Sequence, residues 1–102
     1  MPIDFQTPLQ AIQQEINNIP ATDGRFTRHS FLFYRDASTR HSANLSAAIS
    51  GGNYELATSH LNALNNALSK DARTNLKGTI TNLRQDLVDA MTPGADLPLA
   101  TM

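Results

Sequence analysis

Apolar residues recur along this chain at three- and four-residue steps, the spacing of one buried face on an α-helix. Leu9, Ile12, Ile16 and Ile19 form the first stripe. Thr7 before Pro8 reads as its N-cap, with Gln10 completing a capping box, and Pro20 ends it. Asp23-Gly24 lies in a turn. A second helix then starts near Thr27 or Arg28 and runs to Ser50. Phe31, Tyr34, Leu45, Ala48 and Ile49 fall on one side of it, whereas Leu32 and Phe33 point away. The alternative is a break near Asp36-Ala37-Ser38, with Ser38 capping a new start. One long helix is the reading preferred here.

Gly51-Gly52 stops the second helix, and Asn53 caps the next. Ala57, Leu61, Leu64 and Leu68 make a heptad-like seam, flanked by Leu56, Ala63 and Ala67. Asp71 caps a fourth helix, whose apolar face is Leu76, Ile80, Leu83, Leu87 and Ala90. Gly78 falls on its polar side. Thr92-Pro93-Gly94 ends the helical part. The pattern predicts an all-α fold: a small antiparallel bundle of about four helices, near 8–19, 28–50, 54–69 and 72–91. Residues 1–91 form one helical domain in this reading, and 92–102 a flexible tail.

A chain of 102 residues is one domain by the usual prior, and it buries enough surface for a core without staples. There is no cysteine, which removes thiol nucleophiles and cysteine-based metal sites. No stretch is apolar enough for a membrane span. Met1-Pro2-Ile3-Asp4 lacks the basic start and apolar run of a secretory signal. The expectation is a cytoplasmic protein, or one exported without a cleavable signal. Asn, Ser, Thr and Gln supply 31 of the 102 residues against two lysines, so the helices are coated with neutral polar groups. In composition this resembles substrates of bacterial secretion machines and some phage proteins.

Candidate chemistry is sparse. His29, His41 and His60 show no metal-ligand spacing. Asp86 and Asp89 sit on adjacent turns and read as solvent-facing acids. Ser30, His41 and Asp36 make a triad only on paper, because no strand–turn–helix elbow accompanies them. No cofactor, metal or catalytic residue is expected, and the chain reads as a non-enzyme. Thr-Arg-His-Ser occurs twice, at 27–30 and 39–42, but the copies face different ways on a helix.

The segment from Arg25 to His41 differs from the rest. It holds four of six arginines, four of six aromatics and one acid, Asp36. Arg28 and Arg35 share a helix face with Leu32 beside them. Arginine next to exposed apolar groups is the chemistry of a protein-binding hot spot. Arg25, Arg28, Leu32, Phe33, Arg35 and Arg40 are therefore the candidate partner-binding residues.

Gly52, Tyr54 and Ala57, within Gly-Asn-Tyr-Glu-Leu-Ala, carry a local resemblance. The stretch resembles the turn and second-helix start of tetratricopeptide repeats, and the Asn-Tyr-Glu-x-Ala step of microtubule-interacting-and-trafficking domains. That resemblance implies a helical hairpin whose groove binds peptides. Ala43, Ala47 and Ala48 replace the large residues both families carry in the preceding helix, and no second repeat follows. Neither family is assigned.

The leading functional reading is a protein–protein interaction module: an adaptor, inhibitor, secretion chaperone or small effector, bacterial or phage. Its partner is another protein, held by helix 2 and an inter-helix groove. A second reading is a nucleic-acid binder using the segment 25–41, against which stand the net charge of −1 and the two lysines. A third is self-assembly, with a second copy completing narrow apolar seams as a homo-oligomer.

Overall fold

Four amphipathic sequences make four helices: α1 Gln6–Asn17, α2 Leu32–Ser50, α3 Tyr54–Ala67 and α4 Lys70–Ala90. The computed structural model describes residues 2–18 and 32–97, for 32–35 the backbone alone. The expected all-α bundle is the fold observed, and among the described residues there is no strand.

The start of α1 corrects the expected cap. Asp4, not Thr7, closes the helix: its Oδ1 accepts from the Gln6 and Thr7 backbone N–H groups at 2.9 and 3.2 Å. Its Oδ2 accepts from the Thr7 hydroxyl at 2.6 Å. These bonds stabilise the ionised form and hold the Asp4 carboxyl below its ordinary range. The earlier start carries Phe5 into the core, 3% exposed, where its ring stacks on Tyr54 at a centroid distance of 5.6 Å. Phe5, Leu9, Ile12 and Ile16 thus form the buried stripe of α1.

In α2 the helix runs through Asp36-Ala37-Ser38 without interruption. Ser38 starts no new helix; it is fully buried, and its hydroxyl donates to the Ala67 carbonyl of α3 over a long 3.5 Å. Ala37, Ser38, Ser42, Leu45, Ala48 and Ile49 are the buried positions among the described side chains of α2. Four of these are small, and α2 makes its most extensive helix contact with α3. The expected helix start near Thr27 lies outside the described residues.

Gly52 ends α2 with φ of 76°, the left-handed conformation expected of it. Asn53 caps α3 by accepting from the Leu56 N–H at 3.1 Å. The cap of α4 is Ser69 rather than Asp71: its backbone is extended and its hydroxyl accepts from the Ala72 N–H at 3.4 Å. Asp71 instead lies in the first turn, where a carboxylate meets the positive end of the helix. Leu68 closes α3 and is buried, as expected of its seam, while Leu56 is 45% exposed.

Each helix packs on two neighbours, α1 on α2 and α4, and α3 on α2 and α4. The leucine seams of α3 and α4 meet α1 and α2 in one core, in which Leu45, Leu61, Leu83, Leu87 and Ile12 are fully buried. The register is antiparallel around this ring. Asn75 near the start of α4 donates to Glu15 near the end of α1 at 2.8 Å. At the other end the Ile3 N–H donates to the Asp96 carbonyl at 2.9 Å, joining the segment after α4 to the one before α1. No described helix is long and apolar enough to cross a membrane.

Candidate functional site

The residues singled out in the sequence fall into three groups. Arg25, Arg28 and His29 lie outside the described residues. Leu32, Phe33 and Arg35 lie in the first turns of α2, where the backbone alone is described. Arg40 is exposed, two turns further on.

His41 and His60 come together across the α2–α3 contact. His41 is half-buried, and its Nδ1 is buried with no hydrogen-bond partner among the described residues. Burial pushes the imidazole below its ordinary pKa, and the charges of Arg40 and His60 push the same way. No group of three metal-ligating side chains gathers among the described residues. Asp36 and His41 are five positions apart on α2, on different sides of the helix. Asp86 is half-buried rather than solvent-facing. Burial raises its carboxyl above the usual range, and Asp89 and Asp4 add to this. Asp89 is exposed, and its Oδ1 accepts from Gln85 at 2.9 Å.

A feature missed in the sequence stands on the outer side of α3 and α4. An open groove of about 330 Å³ is lined by Asn65 of α3 and by Lys70, Arg73, Thr74, Lys77, Ile80, Thr81 and Arg84 of α4. The four cations recur at i, i+3, i+7 and i+14, within an arc of about 60° on the helix. They are all the lysines and arginines the chain has outside the segment 25–41. No acid lines the groove among the described residues. Arg84 is held in place by Asn62 of α3, whose Oδ1 accepts from its Nε and Nη2 at 3.3 and 3.0 Å. Among the described residues, the charged groups of Lys70, Arg73 and Lys77 have no partner.

The same outward face of α4 changes character past Arg84. Val88 and Met91 continue it, 48% and 46% exposed, and Leu97 beyond the helix is 39% exposed. The face therefore runs from cationic to apolar toward its C-terminal end.

The signal for the groove was present in the sequence as the spacing of four cations. The four are spread over fifteen positions among mostly neutral residues, unlike the dense Arg25–His41 segment. No protein-family model, curated protein or solved structure matches the chain.

Proposed function

We propose that the chain is a non-catalytic protein-interaction module that docks a partner through the C-terminal end of α4. The observation that carries this is the gathering of Val88, Met91 and Leu97, three of the four large apolar side chains exposed among the described residues, within ten positions. One exposed leucine is ordinary, but a cluster at one end of a polar bundle is apolar area that a partner can cover. Helix 2 remains the second candidate surface, through Arg25, Arg28, Leu32, Phe33, Arg35 and Arg40.

The test is affinity capture from lysate of the source organism with three forms of the chain: wild type, Val88→Glu/Met91→Glu and Phe33→Ala/Arg35→Glu. Circular dichroism checks that each folds. A protein retained by wild type and by the helix 2 variant, but lost by the α4 variant, is the expected result. Loss only with the helix 2 variant moves the docking surface to α2. A mass measurement on the purified chain separates self-assembly, because a second copy docking through this patch would appear as a concentration-dependent dimer.

A further inference from the structure

We propose that the α3–α4 groove is a binding site for a compact polyphosphate, an anion of two or more linked phosphate groups. The site is separate from the apolar end of α4 and does not depend on the docking proposed there.

Like charges three and four positions apart on a helix oppose its formation, and Lys70, Arg73 and Lys77 stand in that relation. Among the described residues the fold leaves them uncompensated, and none of the described acids lines the groove. A local rule broken without a gain to the fold points to a demand from outside it. An anion held between these side chains removes the repulsion.

The shape and lining narrow the kind of anion. The groove is concave and at the small end of the range for small-molecule sites. A nucleic-acid duplex is convex and far wider, so it cannot enter. A single carboxylate would leave most of the positive charge unanswered. Linked phosphates bring several charges and three or more acceptor oxygens, and the guanidinium fork matches phosphate with paired hydrogen bonds. Arg84 keeps free donors after its two bonds to Asn62, and that anchor orders it before any ligand arrives. The Asn65 amide and Thr81 hydroxyl supply neutral donors beside the cations. The Thr74 hydroxyl is already donated to the Lys70 carbonyl at 3.0 Å and can only accept.

Among the described residues the groove has no aromatic side chain, and its one aliphatic residue, Ile80, is 3% exposed. None of the described lining residues can stack on a nucleobase. Recognition therefore runs through the phosphates alone, and a nucleoside attached to them should add little.

Calorimetric titration of the full chain with sodium tripolyphosphate at low ionic strength tests this. One ligand is expected per chain. Lys77→Glu and Arg73→Glu should each weaken binding by at least about tenfold, as loss of a charge-assisted phosphate contact does. Gln10→Glu/Asn44→Asp makes the same change in net charge at two exposed positions that do not line the groove, and should leave affinity within a few-fold. Lys77→Gln is the milder variant should the reversal disturb the fold, and it should fall between Lys77→Glu and wild type. ATP should bind within a few-fold of tripolyphosphate. Absence of binding to wild type overturns the proposal, as does equal loss in Gln10→Glu/Asn44→Asp, which would mean net charge alone. Tighter binding of a short DNA duplex, or of vesicles bearing a phosphorylated lipid headgroup, would also overturn it and assign the cations to that surface.

Discussion

Two glycines of this chain do opposite things. Gly52 takes a φ of 76°, which any side chain resists, so Gly52→Ala should destabilise the fold by about 1–2 kcal/mol. Gly78 lies inside α4 with no positive φ, and an added Cβ would meet nothing within 4 Å. Gly78→Ala should stabilise by up to about 1 kcal/mol, because alanine gives up less backbone freedom in a helix. Urea unfolding of the two variants beside wild type reads both signs in one experiment. His41 adds a dependence on pH. Its folded pKa lies below the ordinary 6.5, so in acid the unfolded chain takes up the proton first. Stability is full above that value and is lost as pH falls through it, until the folded imidazole also titrates. Wild type should therefore lose more stability between about pH 7.5 and about pH 5 than His41→Gln does. Equal losses in the two would place the effect elsewhere.

At the scale of the element, the small residues of α2 set how near it lies to α3. Ser42 is 3% exposed one turn after Ser38, whose hydroxyl meets α3, and Ser42→Leu should cost about 1–3 kcal/mol through overpacking. Ser38→Ala removes only a long 3.5 Å hydrogen bond and should cost under about 1 kcal/mol. Thermal unfolding distinguishes the two, and similar costs would contradict close packing. The leucine seams of α3 and α4 were legible in the sequence because periodicity alone decides which face is buried. The first turns were not. Asp4 and Thr7 can each cap α1, and the choice falls to Asp4 because that start lets Phe5 reach Tyr54, a contact between distant positions in the chain. Ser69 outcompetes Asp71 in the same way, since it is the residue whose backbone is extended after Leu68. The cation row was readable from its spacing. Its partners Asn62 and Asn65 were not, because they depend on how α3 and α4 are set against each other.

Across the whole molecule, charge and apolar surface are sorted along α4. Cations line the groove beside its N-terminal two-thirds, and exposed Val88 and Met91 follow where Asp4, Asp86 and Asp89 crowd together. Under the proposed reading, these two regions give α4 two separate binding surfaces. The most direct test of that account is hydrogen–deuterium exchange on the chain alone and in complex with the protein it captures. The account predicts added protection over residues 86–97. Protection confined to α2, or none anywhere, would contradict it.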